Sequence, residues 1–136
     1  MAVFSLILAA ASVRAHCEIP CGIYDDEMRL DMISEHVTTI EKSMNQILEL
    51  QKEKELNYNQ LVRWIDNKEH HANEIQHIVS QYFLTQRLNF DDKEYAKKVS
   101  SLQKILVYAM KCKQTVDLEN LKKLREACRE FEAFHR

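Results

Sequence analysis

The chain has 136 residues, of which 46% are hydrophobic and 29% charged, with a formal net charge of −2. That is one domain with enough apolar residues for a core, and it lacks the basic footprint that nucleic-acid binding requires. A single Gly and a single Pro exclude turn-rich sandwiches and barrels and leave long helices joined by short polar connections.

The first segment runs from Met1 to Ala15. Its apolar run, Val3 to Ala11, is too short to cross a bilayer. Val13 and Ala15 are small residues at the offsets that suit cleavage after Ala15. The segment therefore reads as a removed leader, 1–15, followed by a domain over 16–136. No Lys or Arg precedes the apolar run, so an export signal and a plain propeptide both stay open. Cleavage there makes His16 the new N-terminus, and loss of Arg14 takes the formal charge from −2 to −3.

Next comes His16-Cys17-Glu18-Ile19-Pro20-Cys21-Gly22-Ile23-Tyr24, which contains the only Gly, the only Pro and two of the four Cys. Pro fixes a return turn and Gly lets the backbone pass close by, so the stretch is a hook of defined shape. A disulfide between Cys17 and Cys21 would close a very small loop and stabilise little. Metal ligation suits the pair better. A free His16 offers its α-amine and its imidazole, Cys17 its thiolate and its own amide nitrogen, and Cys21 a second thiolate. Amine, amide and the Cys17 thiolate are linked by short covalent chains and form fused chelate rings. Two nitrogens and two sulfurs in a plane suit Ni(II) or Cu(II) rather than Zn(II), with the imidazole available on the axis. The bland readings are a tail with two stray thiols or half of a zinc site, but no second Cys/His pair at useful spacing follows.

From Asp25 the pattern is helical. Ile33, Val37, Ile40, Met44 and Ile47 are spaced 4, 3, 4, 3 and predict a helix over about 26–53. Asp25 and Asp26 precede the stripe, where negative charge suits a helix N-terminus. A break is expected near Asn57-Tyr58-Asn59 from the turn preference of Asn. Leu61, Trp64, Ile65, Ile75, Ile78, Val79, Tyr82 and Phe83 predict a second helix that ends at Leu88-Asn89-Phe90. Asp91 with Glu94 is a capping-box-like start for a third, with the stripe Tyr95, Val99, Leu102, Ile105, Leu106 and Ala109. Asp117 should cap a fourth, with Leu121, Leu124, Cys128 and Phe131 inward. Four amphipathic helices predict an all-α, antiparallel four-helix bundle with the hook at its N-terminus.

Within these helices, Glu74 and His77 have the Glu-x-x-His spacing of di-iron bundles, which also require an inward Glu from each of two further helices. Solvated or partner-facing polar residues are the expectation for them, and for His70 and His71. Cys112 and Cys128 fall about two turns out of register and are expected as buried small hydrophobes rather than a bridge. Tyr82 alone reads as half-buried packing.

The motif His16-Cys17-x-x-Pro20-Cys21-Gly22-x-Tyr24 resembles the nickel hook of the nickel-containing superoxide dismutases. The resemblance is specific over 16–24 and general over the helices, with weak local matches such as Gln81-Tyr82-Phe83. It implies a four-helix bundle assembled as a homohexamer, with one nickel ion per subunit and a leader removed by a processing peptidase. It implies superoxide as substrate and a Ni(II)/Ni(III) cycle; the charge and the short apolar run lead us to expect neither nucleic acid nor membrane as partner. On this resemblance His16, Cys17 and Cys21 would hold the metal, and Pro20 would hold the hook with a cis bond. Tyr24 and Tyr82 would stand by the open axial face and hold superoxide or its proton-donating water. Glu18 stands where the family usually has Asp, and Asp31 matches, with a one-residue gap, the acid that supports the axial imidazole. The arginine partner of that acid has no assigned position. The implied compartment is cytoplasmic, or exported or in an organelle lumen when the leader is a signal peptide. The rival class is a helical protein that binds nickel or copper in the same square site without turnover.

Overall fold

The apolar stripes of this chain recur at helical spacing, and each is long enough for several turns, so each can bury one face only against other helices. A computed structural model of the chain describes residues 25–135. The leader and hook, and with them His16, Cys17, Glu18, Pro20, Cys21 and Tyr24, lie outside the described residues. Four helices follow: α1 (Asp25–Leu50), α2 (Tyr58–His77), α3 (Tyr95–Gln114) and α4 (Leu118–Glu132). The second continues as a π-helical segment, Ile78–Arg87. α1 packs on α2 and α4, and α3 packs on the same two. Consecutive helices run antiparallel: Ser43–Asn67 and His36–His71 join α1 to α2, Lys68–Cys112 and Gln76–Leu106 join α2 to α3, and Lys104–Glu130 joins α3 to α4 across a short turn. This is the predicted four-helix bundle.

The stripe of α1 is core throughout. Ile33, Val37, Ile40, Met44 and Ile47 are all buried, and each such side chain contributes roughly 1.5–3 kcal/mol. The helix stops at Leu50, three residues short of the predicted end, and the polar stretch after it turns back through Gln51 N–H to Ile47 O and Lys52 N–H to Glu49 O. The break near Asn57 is real. The Asn57 side chain accepts from the Gln60 amide at 3.1 Å, which caps α2.

Along α2 the buried face differs from expectation in one place. Residues 61, 64, 68, 72 and 75 repeat at 3, 4, 4, 3, and Lys68, Ala72 and Ile75 of that row are buried. Ile65 is instead 39% exposed, because it belongs to the neighbouring row with the exposed Tyr58 and Val62. Beyond His77 the winding widens. The Thr85 hydroxyl donates to Ser80 O and the Gln86 amide to Gln81 O, both five residues back. Ile78, Val79, Tyr82 and Phe83 of this segment are buried.

The start of α3 corrects the predicted cap. Asp91 does not cap it: its backbone N–H is held by the Asn89 side chain at 3.1 Å. Asp92, in the turn before the helix, accepts from the Glu94 amide at 2.8 Å and from Lys98 Nζ at 2.6 Å, and α3 begins at Tyr95 with Glu94 as its N-cap and no side-chain cap bond. Asp117 caps α4 as expected, accepting from the Glu119 amide at 3.0 Å.

Leu102, Ile105, Ala109, Leu121, Leu124 and Phe131 complete the core. Cys112 is fully buried, Cys128 partly so, and both thiols are free. Burial pushes the thiols up to about 11 and about 12 respectively, so both rest as uncharged packing groups. No helix among the described residues is long and apolar enough to cross a membrane.

Candidate functional site

The chain enters the described structure at Asp25, so the hook joins the bundle at the N-terminal end of α1. Cys21 lies five residues before Asp26, a reach of at most about 18 Å. Antiparallel packing brings to the same end the last turns of the π-helical segment and the residues that follow α4. A cluster of polar groups gathers there over an aromatic floor.

Asp26 is at its centre. The Tyr82 hydroxyl donates to Asp26 Oδ1 at 2.7 Å. Arg87 holds the same carboxylate with two nitrogens, Nε at 2.7 Å from Oδ1 and Nη2 at 3.1 Å from Oδ2. His135 Nε2 lies 3.7 Å from Oδ2. The two-pronged Arg contact fixes the carboxylate in its plane as well as in position. Burial pushes the Asp26 carboxyl up, but the hydrogen bonds from Arg87 and Tyr82 and the charges of Arg87 and His135 outweigh it and hold it below the ordinary aspartate value.

Tyr82 is 1% exposed, more deeply buried than the sequence suggests. Its ring stands edge-on to Phe83 at 5.1 Å, Phe83 meets Phe131 at 4.9 Å, and Phe131 meets the His135 ring at 4.8 Å. The Arg29 guanidinium lies 5.0 Å from the Tyr82 ring centre and that of Arg87 5.8 Å. Burial pushes the phenol up, and the Asp26 hydrogen bond and charge add to it, while Arg87 and Arg29 oppose. The phenol is therefore neutral at any physiological pH.

The π-helical winding makes this arrangement possible. In an α-helix five residues turn through about 140° past a full circle, which would send Tyr82 and Arg87 to different faces. The wider i→i+5 winding brings them close to one line, and both reach one carboxylate.

The structure thus brings one expected residue, Tyr82, to the hook's end of the bundle. It leaves the other described one, Asp31, exposed about one and a half turns down α1, beside an open depression lined by Ser34, Glu35, His36 and His71. Asp26, Arg29, Arg87 and His135 were not legible as site residues. Asp26 is 56 positions from Tyr82 and 61 from Arg87, and the only local signal is that Asp26 follows Tyr24 by two residues.

A second polar group sits farther along. His36 Nδ1 and His71 Nδ1 are 2.7 Å apart, joining α1 to α2. Burial lowers both imidazoles below the ordinary histidine value; the neighbouring His71 and His70 charges add to this at His36, and the His70 charge at His71, against opposing Glu74. His70 and His77 are exposed and Glu74 half-buried. Among the described residues no three His, Cys, Asp or Glu side chains converge as a metal site.

The hook's donors are the fit test for a metal: two thiolates, an amine, an amide nitrogen and an imidazole within residues 16–21. That set, rich in sulfur and nitrogen, suits a tetragonal late transition metal. Comparison with known proteins agrees with it. A family model described as nickel-containing superoxide dismutase matches residues 11–136, hook included. Neither a curated protein nor a solved structure matches.

Proposed function

The chain belongs to the nickel-containing superoxide dismutase family, and from that premise we propose how its own residues carry the activity. It is a nickel enzyme that converts superoxide to oxygen and hydrogen peroxide. When bound, nickel supplies a one-electron couple that takes an electron from one superoxide and gives it to a second, with two protons taken up in the second half.

His16 gives its α-amine and imidazole, Cys17 its amide nitrogen and thiolate, and Cys21 its thiolate. The anionic amide and the thiolates are strong donors and favour the higher oxidation state. Pro20 sets the return turn of the hook, and Glu18 places a carboxylate beside Cys17. Asp31 is the acid for the His16 imidazole. Tyr24 and Tyr82 would hold superoxide or a proton-bearing water beside the metal. Supporting this, Tyr82 lies at the end of the bundle from which the hook departs, and its phenol is kept neutral by its surroundings.

The α-amine exists as a ligand only after proteolysis at Ala15, so a peptidase acts before nickel is held. The family match begins at residue 11, which leaves most of the leader outside it. Assembly is as a homohexamer. The compartment is the cytoplasm when residues 1–15 are a propeptide alone, and an exported or luminal space when they are a signal peptide.

The observation that carries the reading is His16-Cys17-x-x-Pro20-Cys21-Gly22-x-Tyr24 inside the family match. The test is superoxide removal by protein beginning at His16, with and without nickel, beside the same assay on protein beginning at Met1. Rapid removal only by the nickel-loaded, leader-free form is expected. Equal and negligible rates in all of them overturn the reading, and leave a metal-binding helical protein without turnover.

A further inference from the structure

We propose that Asp26 is a positioning residue for the reaction: by taking the single proton of the Tyr82 hydroxyl, it turns the phenol oxygen into an acceptor that receives only proton-bearing ligands. This rests on the reading that Tyr82 borders the nickel face. A phenol has one O–H, and here that O–H points to Asp26 Oδ1 at 2.7 Å. What remains on the oxygen is lone pairs. A group that meets this oxygen must donate. Superoxide anion carries no proton and is repelled there, while water and hydroperoxide carry one and are held. Tyr82 therefore holds the water or the protonated product.

Three observations make Asp26 more than a packing contact. First, its orientation is over-determined. Arg87 grips both carboxylate oxygens, at 2.7 and 3.1 Å, and His135 stands 3.7 Å from the second. Secondly, the groups come from three separate parts of the chain, the start of α1, the π-helical segment and the end after α4, and they converge only at the end where the hook leaves. Thirdly, the carboxylate is 15% exposed in its side chain, so the bond to Tyr82 is shielded from competing water and worth more than at the surface. The other charged group against the ring, Arg29, is 7% exposed and stands 5.0 Å from its centre. Its charge and that of Arg87 counter the carboxylate across the ring but offer the hydroxyl no acceptor.

The experiment is a double-mutant cycle on Asp26 and Tyr82, read in two ways. In nickel-loaded protein, Asp26→Ala and Tyr82→Phe should each lower the rate constant for superoxide removal about tenfold, the scale of one charge-assisted hydrogen bond. The double variant should be no slower than Tyr82→Phe alone. In nickel-free protein, the tyrosine Cζ signal of Tyr82, assigned by its loss in Tyr82→Phe, should titrate at lower pH in Asp26→Asn than in the parent. Asp26→Leu has nearly the same side-chain volume and no acceptor oxygen, and runs through the same activity cycle should Asp26→Ala not fold.

The outcomes separate the two ideas. Full activity in Tyr82→Phe removes Tyr82 from the reacting site and overturns both this proposal and that part of the functional reading. A slow Tyr82→Phe beside a fully active Asp26→Ala overturns this proposal alone. So does a double variant slower than Tyr82→Phe by the whole Asp26 factor, or a Tyr82 titration unchanged in Asp26→Asn.

Discussion

The bundle holds two buried polar centres of opposite sign, one at each end, and they are built for different purposes. Near the far end, Lys68 is 3% exposed, and its ammonium donates to Cys112 O at 2.7 Å and to Lys113 O, with Glu69 at 3.5 Å. It is a cation placed on the last carbonyls of α3, where helix C-termini have unpaired acceptors and partial negative charge. Two of its protons go to main-chain oxygens, and the Glu69 carboxylate faces its charge. At the hook's end, Asp26 gathers donors instead, but one of them is a phenol with acceptor capacity left over. The far centre closes a helix end. The near one orients a group that can still meet a ligand. A buried charge is thus read as structural or functional by what its partners have left to offer.

That contrast can be broken by experiment, beginning where the effect is largest. Cys17→Ser should reduce superoxide removal to background and abolish nickel retention, measured by metal content of the purified protein, while the helical circular dichroism of the body persists. Retained nickel and activity would detach the chemistry from the hook and from the near end altogether.

Lys68→Met comes next. It should cost about 3 kcal/mol of stability in denaturant unfolding, since carbonyls built around a buried cation lose it. Superoxide removal per bound nickel should be unchanged, because Lys68 lies near the end of the bundle opposite the start of α1, where the hook departs. An activity loss here would erase the division between the two centres.

Arg87→Gln should cost only about 1 kcal/mol, as its side chain is 36% exposed and solvent screens the pair. Its sharper signature is in pH. Asp26 is held below its ordinary value of 3.8, so its contribution is present above that value and is lost as pH falls through the folded-state value. Without Arg87 the folded value rises towards 3.8 or beyond, and acid unfolding should begin at a higher pH.

The smallest effect lies midway along the bundle. His36 and His71 are both held below 6.5, so the unfolded chain binds protons more readily than the folded one. Stability should be full above about pH 6.5 and decline as pH falls through the lowered folded-state values. His71→Gln should flatten that slope in thermal melts taken between pH 7 and 5. An unchanged slope assigns the acid sensitivity elsewhere.

Much was legible in the order of residues alone. The stripe from Ile33 to Ile47 specified a buried helix face, because an apolar residue every three or four positions can be satisfied in only one way. Asp117 specified a cap, because a short polar side chain bonds its own following amides, and Asn57 specified a break that the structure shows to be a cap. The proposed donors of the hook were legible for the same reason: amine, amide and both thiolates are near neighbours in the chain, and covalent connection needs no fold to bring them together. What only the tertiary structure decided was the meeting of Asp26, Tyr82, Arg87 and His135, and of Lys68 with the end of α3. Those contacts depend on antiparallel helices in register and on a π-helical winding that rotates Arg87 towards Tyr82. Neither leaves a local pattern, since each is fixed by the sum of packing over the whole bundle and not by any one stretch of it.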